Sequence, residues 1–147
     1  MSRMIWSGDA IPPMTRLGGQ AALRRLTPAD VPAMVELAEL TEPGPFRART
    51  SELGEFFGIF DGGRLLSMAG QRLRLPGFIE VSAVCTHPDA RGRGFARMAM
   101  AQVMADILGR GATPFLHAFA DNPAIRVYEA LGFTRRRSLH LAVLQAE

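Results

Sequence analysis

The stretch that most constrains this chain is Phe78 to Ala96, FIEVSAVCTHPDARGRGFA, in which a strand-like segment runs into a glycine-bearing turn that opens an apolar helix. Phe78 to Thr86 carries the β-branched and aromatic content of a strand, and the segment after Gly92-Arg93-Gly94 has helical composition. A strand therefore aims its end at a helix N-terminus. The backbone N–H groups there lack helical partners and the helix dipole is positive at that end, so the turn favours an anion. Glycine lets a phosphate approach the main chain closely. Two familiar phosphate loops are excluded by the residues present. A Walker loop requires Gly-Lys-Ser/Thr, but all 17 basic residues are arginine. A dinucleotide-binding fingerprint requires glycine or alanine at its sixth position, where Gly92-x-Gly94 is followed by Phe95, Ala96 and Arg97.

The turn itself reads Arg91-Gly92-Arg93-Gly94-Phe95-Ala96, with Pro88 three residues ahead. This pattern, Arg/Gln-x-x-Gly-x-Gly/Ala, resembles the pyrophosphate-binding motif of the GNAT superfamily of acyl-CoA-dependent N-acetyltransferases. A second block, Asn122-Pro-Ala-Ile-Arg-Val-Tyr128-Glu-Ala-Leu-Gly-Phe133, resembles the superfamily's other signature helix, which ends in Leu-Gly-Phe. The closer likeness, through Glu80-Val-Ser-Ala-Val-Cys-Thr-His-Pro88 and Pro43-Gly44-Pro45-Phe46, is to the FR47-like branch related to glycine N-acyltransferases; it extends over roughly Leu23 to Leu144. The resemblance implies an α/β fold of the α+β type. A central, mostly antiparallel sheet would have a splayed central strand pair and flanking helices. It also implies acetyl-CoA as co-substrate and a small-molecule amine as acceptor. A non-catalytic acyl-CoA-binding module with the same fold is the alternative that the motifs leave open.

A chain of 147 residues is one domain by length and can bury a real core. Residues 1–20 read as an N-terminal edge strand and linker, and 21–147 as the N-acetyltransferase domain. The 48% hydrophobic and 21% charged content is that of a globular chain. A formal charge of +3 does not demand nucleic acid, and Arg135-Arg136-Arg137 reads as a solvated strand edge, so no nucleic-acid partner is expected. One cysteine, Cys85, excludes an internal disulfide framework, and no apolar run approaches a membrane span. With no charged-then-apolar leader, the chain reads as cytoplasmic, with a homodimer left open.

Along the chain, Arg3 to Trp6 suits a short edge strand with Trp6 as a packing anchor, and Gly8 to Gln20 reads as linker. Ala21 to Leu26 suits a strand. Thr27-Pro28-Ala29-Asp30 opens a helix that Pro32 delays, with Asp30 as cap and Val31, Met34, Val35 and Ala38 as its buried face. Pro43 to Phe46 would form a rigid turn or a loop shaping the acceptor pocket. Phe56 to Asp61 and Arg64 to Leu75 make a hairpin through Gly62-Gly63, and Pro76-Gly77 turns into the central strand. In the following helix Gln102, Asp106 and Arg110 mark a wet stripe. Thr113 to Ala120 is the next strand, Asn122 caps a short helix with Pro123 at its first position, and Phe133 to Leu144 closes the sheet.

Acylation of an amine by a thioester needs a base, an oxyanion donor, an acid for the leaving thiolate, and alignment. Glu80 is the candidate base, an acidic residue in an apolar strand where an unpaired carboxylate is expensive; the competing role is an ion pair with Arg72 or Arg74. Tyr128, on the inward face of the short helix with Ala124, Val127 and Leu131, resembles the superfamily's thiolate-protonating tyrosine; the competing role is core packing. Backbone groups of Val84, Cys85 and Thr86 would meet the thioester and pantetheine, and Arg91, Gly92, Arg93, Gly94, Phe95 and Ala96 the pyrophosphate. Asn122 and Ala124 would flank the cofactor. Cys85 as a nucleophile is the chemical rival, and strand parity puts it opposite Glu80 unless a bulge intervenes. His87, His117 and His140 have no metal-ligand spacing, so no metal is expected. Of the three, only His117 is a candidate to face the cleft.

Overall fold

The computed structural model describes residues 1–12 and 17–138. Among the described residues seven strands form one sheet: β1 (Ser2–Trp6), β2 (Ala22–Arg25), β3 (Phe56–Asp61), β4 (Arg64–Leu75), β5 (Phe78–Thr86), β6 (Thr113–Ala118) and β7 (Phe133–Ser138). Among the same residues three α-helices accompany them: α1 (Val31–Thr41), α2 (Phe95–Gly109) and α3 (Ile125–Ala130). The strand order is β2-β3-β4-β5-β6-β1-β7, antiparallel throughout except for the parallel pair β5–β6.

Local chemistry accounts for the antiparallel half. Gly62 and Gly63 both hold positive φ (58° and 79°), the two left-handed positions of a tight hairpin turn, and this sets the β3–β4 register. Gly77 does the same between β4 and β5 at φ 77°. The crossover from β5 to β6 contains α2, which a parallel neighbour requires.

The two faces of the sheet are covered separately. On one, Ala99, Met100, Val103, Met104 and Ile107 of α2 pack with Ile79, Val81, Leu116 and the α3 residues Ile125 and Tyr128. On the other, Met34, Leu37 and Ala38 of α1 pack with Phe56, Met68 and Cys85. The buried face of α1 thus centres on Leu37; Val31 and Val35 are only partly covered. The stripe expected to be wet on α2 is in part an anchor. Asp106 accepts a 2.7 Å hydrogen bond from Gln71 of β4 and one of 2.9 Å from Arg110.

Strand β1 is not an edge. It lies between β6 and β7, and Trp6 Nε1 donates to the Leu131 carbonyl at 2.9 Å. A five-residue strand carries no local mark of its partners, whereas the vacancy between β6 and β7 is a property of the assembled sheet. Two other boundaries shift: strand β6 stops at Ala118, and α3 starts at Ile125 and not at Pro123. Of the expected closing strand, 133–138 is β7, and 139–147 lie outside the described residues. Arg135 and Arg136 are exposed on this edge strand. No helix among the described residues is long and apolar enough to cross a membrane.

A 3₁₀ turn (Pro28–Asp30) leads into α1, and Asp30 stands at the cap position, but its carboxylate makes no cap hydrogen bond to α1 and turns back instead to Thr27 and Arg24. Asp30 accepts the Thr27 backbone N–H at 2.7 Å and both Arg24 donors at 2.8 Å. The Arg24 hydrogen bond holds the Asp30 carboxyl well below the usual carboxylate range, against a desolvation effect of opposite sign. We therefore expect Asp30→Asn, which loses the charged, two-point pairing with Arg24, to cost about 1 kcal/mol, roughly 3 °C in melting temperature for a chain of this size. Because the folded-state acidity is strengthened, this contribution is complete above the unfolded carboxyl value near pH 4 and is lost as pH falls below it. Thermal scans of both proteins between pH 7 and pH 2.5 should show the difference narrowing in acid.

Candidate active site

At the C-terminal end of β5 the chain makes a 3₁₀ turn (Pro88–Ala90), with the His87 ring accepting the Asp89 N–H at 3.1 Å. Arg91 to Gly94 follow, exposed at the surface. Gly92 and Gly94 hold φ of 79° and 77° with open space where a Cβ would project, so backbone conformation and not crowding calls for glycine. The first bond spanning the start of α2 runs from the Met98 N–H to the Gly94 carbonyl at 3.1 Å. The N–H groups of Phe95, Ala96 and Arg97 therefore have no helical acceptor. Arg93 stacks on the Phe95 ring, 4.4 Å from its centroid, and lies 3.9 Å from Asp61. The six residues from Arg91 to Ala96 converge as a small basic cradle with main-chain donors.

The cradle stands at the mouth of an opening in the sheet. Strands β5 and β6 pair only at Phe78↔Thr113, Ile79↔Pro114 and Glu80↔Phe115, and then part. Along its other edge β5 stays paired with β4, but Ala83 and Val84 oppose the single residue Ala69, and Ala83 sits at φ 55°. This bulge bends β5 at the point where it leaves β6. It also resets side-chain parity. Val84 packs against the α2-side core, while Cys85, opposite Met68, points to the α1 side and so shares a face with Glu80. The outer part of β5, with Val84, Cys85 and Thr86, thus borders the opening.

Glu80 is 1% exposed and fully engaged. Its carboxylate accepts Arg72 Nε at 2.5 Å and Arg72 Nη2 at 2.9 Å, and also meets Nδ1 of His117 on β6. Of the two arginines that sequence offered as partners, Arg72 takes the role; Arg74 instead donates to Gln71 at 3.1 Å. Tyr128 is 7% exposed, in the core on the α2 side. Burial pushes its phenol above the ordinary value, partly offset by the Asn122 side chain. Asn122 closes the turn before α3 by accepting the Ala124 N–H at 2.9 Å. Over the α1-side face, Pro43, Gly44, Pro45 and Thr50 meet Phe56, Arg72, Ser82 and Ala83 around a hollow of about 30 Å³, and Phe46 packs edge-on to Phe56. A larger hollow of about 240 Å³, beside Glu36, Arg64 and His87, contains none of these groups.

Two of these relationships escape a one-dimensional reading. The Glu80–His117 contact joins residues 37 positions apart through a three-pair parallel register. Arg3 becomes the cross-strand neighbour of His117 only because β1 is internal. No group of three or more His, Cys, Asp or Glu among the described residues could hold a metal ion.

A family model for FR47-like protein matches residues 56–141, which spans β3 to β7 and includes Arg72, Glu80, the Arg91–Ala96 turn, His117 and Tyr128. The chain belongs to the FR47-like family. Among solved structures, this FR47-like protein is similar to a protein from Novosphingobium aromaticivorans assigned to the GNAT family of acetyltransferases. That pair is 44% identical with a TM-score of 0.83, over 92% of this chain and 59% of the other. The chain therefore spans about three fifths of that relative's length. It is also similar to the ribosomal-protein-S18-alanine N-acetyltransferase of Escherichia coli, at 22% identity and a TM-score of 0.69, over 80% of this chain and 79% of that one. A third likeness is to an aminoglycoside acetyltransferase from an uncultured soil metagenomic sample, at 12% identity and a TM-score of 0.70, over 86% and 97%. The fold is that of the GNAT acetyltransferases. Among curated proteins, none matches the sequence.

The FR47-like site removes one chemical rival. Burial pushes the Cys85 thiol up to about 11, with the Thr41 side chain pulling the other way, so at neutral pH it stays a protonated thiol. Native protein at pH 8 should react with iodoacetamide roughly a hundredfold more slowly than protein unfolded in urea, as read by intact mass; equal rates would mean that Cys85 is reactive after all.

Proposed function

We propose that this FR47-like protein transfers an acetyl or short acyl group from coenzyme A to a primary amine by direct attack in a ternary complex. The single observation that carries this reading is the opening between β5 and β6, where the parallel pairing ends after Glu80↔Phe115 and the chain then leads into the donor-rich start of α2. The pyrophosphate would sit on Arg91 to Ala96, where main-chain N–H groups and two arginines meet it. The pantetheine arm would run along the unpaired edge of β5 past Val84, Cys85 and Thr86, with Asn122 and Ala124 on the far side. Main-chain N–H groups near Val84 and Cys85 would polarise the thioester carbonyl.

The proton inventory agrees with this chemistry. Tyr128 keeps its proton at neutral pH and can give it to the thiolate as the C–S bond breaks. Glu80 is the carboxylate of the base apparatus, on the face where the Pro43–Pro45 loop and Arg72 border the acceptor hollow. The similar solved structures carry the names of unlike acceptors, a ribosomal-protein alanine and an aminoglycoside, so the fold alone does not select the amine. The resemblance to glycine N-acyltransferases favours a small metabolite or amino acid. The reaction is placed in the cytosol, where a lone cysteine remains a thiol.

Two measurements test the reading. Coenzyme A at 100 times its dissociation constant should stabilise the native state by about 2.7 kcal/mol, visible as a raised melting temperature. Gly94→Asp should abolish that shift by setting a carboxylate against phosphate, whereas Gly94→Asn, which tolerates the same backbone, should keep more of it; an undiminished shift in Gly94→Asp would displace the cofactor from this turn. Tyr128→Phe keeps the ring and its packing. It should bind acyl-CoA normally and lose turnover on the order of 10² to 10⁴, and unchanged turnover would leave Tyr128 a core residue.

A further inference from the structure

We propose that His117, held by Glu80, is the group that takes the proton from the acceptor ammonium, and that Glu80 and Arg72 are positioning residues. This rests on the acyltransferase reading of the site. Three donors surround the Glu80 carboxylate: Arg72 Nε at 2.5 Å, Arg72 Nη2 at 2.9 Å and His117 Nδ1. With 1% of its surface exposed, Glu80 offers no oxygen to an incoming ammonium. The His117 side chain is 13% exposed, and its Nε2 has no hydrogen-bond partner among the described residues. An ionised carboxylate only accepts hydrogen bonds, so Nδ1 donates and the imidazole lone pair is left on Nε2. A basic nitrogen is thereby fixed by the pair that denies the carboxylate its own access.

The ring is held on its remaining sides. Phe115 meets it edge-on, at 5.7 Å between centroids and 84° between planes, and Phe78 supports Phe115 in the same way at 6.3 Å. On β1 the cross-strand neighbour is Arg3, whose Nε is buried without a partner among the described residues. Arg72 lies in the row that runs from β4 through Glu80 and His117 to Arg3, and it also lines the hollow under the Pro43–Pro45 loop. The acceptor hollow and the imidazole are thus linked through one guanidinium and one carboxylate.

The step balances as follows. One proton of the ammonium passes to Nε2, giving a neutral amine and an imidazolium whose proton later leaves to solvent. The amine lone pair forms the C–N bond to the thioester carbon while the C–S bond breaks with its electron pair on sulfur. Tyr128 protonates the thiolate, and the second proton lost by the nitrogen restores the tyrosine. The products are an amide, the free thiol and one proton.

The test has an arm that does not depend on turnover. In ¹⁵N NMR of the intact protein, the ring resonances that vanish in His117→Gln should be those of a neutral imidazole protonated at Nδ1 and bare at Nε2, and they should change in Glu80→Gln. A ring protonated at Nε2 overturns the proposal. In the kinetic arm, His117→Ala and His117→Gln should bind acyl-CoA as the wild type does and lose turnover by about 10² to 10⁴. Added imidazoles should restore rate to His117→Ala in proportion to their basicity. Full turnover in either variant, or rescue indifferent to basicity, also overturns the proposal. If the wild-type protein acylates no amine, the acyltransferase reading fails, and the NMR arm still decides whether His117 is the poised base.

Discussion

The parting of β5 from β6 is the constraint on which the rest of this molecule depends. A parallel pair that continued to the ends of both strands would satisfy its backbone groups internally and close the sheet. Here the pairing lasts three residues, and the Ala83 bulge carries β5 away. Backbone groups near Val84 and Cys85 are thereby left facing an opening that neither strand could make alone. Main-chain groups without partners are costly when buried in an ordinary fold.

The same divergence lies between groups on opposite faces of the sheet. Glu80 and His117 belong to the α1 side and Tyr128 to the α2 side. In an unbroken sheet they would be separated by its full thickness. On the acyltransferase reading, the opening would bring an acid and a base to one thioester while their environments remain distinct. Tyr128 is surrounded by apolar core, and Glu80 sits among donors. Placing titratable groups in unlike surroundings is how one site holds both a proton donor and a proton acceptor at a single pH.

Around this opening the framework is stiff where stiffness matters. Helix α2 is pinned along its length by Met100, Val103, Met104 and Ile107, and at its end by the Gln71–Asp106–Arg110 bonds. Its start stays exposed, because Gly92 and Gly94 carry the backbone through left-handed conformations before the helix begins. The pair of Arg72 with Glu80 is half in water on the arginine side and dry on the carboxylate side, which suits an ion pair that orients a neighbour better than one that stabilises the fold.

Much of this was legible in the residues. The hairpin turns at Gly62-Gly63 and Gly77, the delayed start of α1 behind Asp30, the glycine turn into α2 and the inward Tyr128 all follow from local rules, because backbone chirality and helical or strand periodicity act over a few residues. The GNAT-like motifs marked the Arg91–Ala96 turn in the same way, as a pattern of adjacent positions. Tertiary structure alone decided the rest. It placed β1 inside the sheet, chose Arg72 over Arg74 for Glu80, turned Cys85 to the Glu80 face through the Ala83 bulge, and set His117 against that carboxylate. Each of these depends on strand partners and register, which join residues far apart in the chain, and no spacing within a strand encodes which neighbour it will meet.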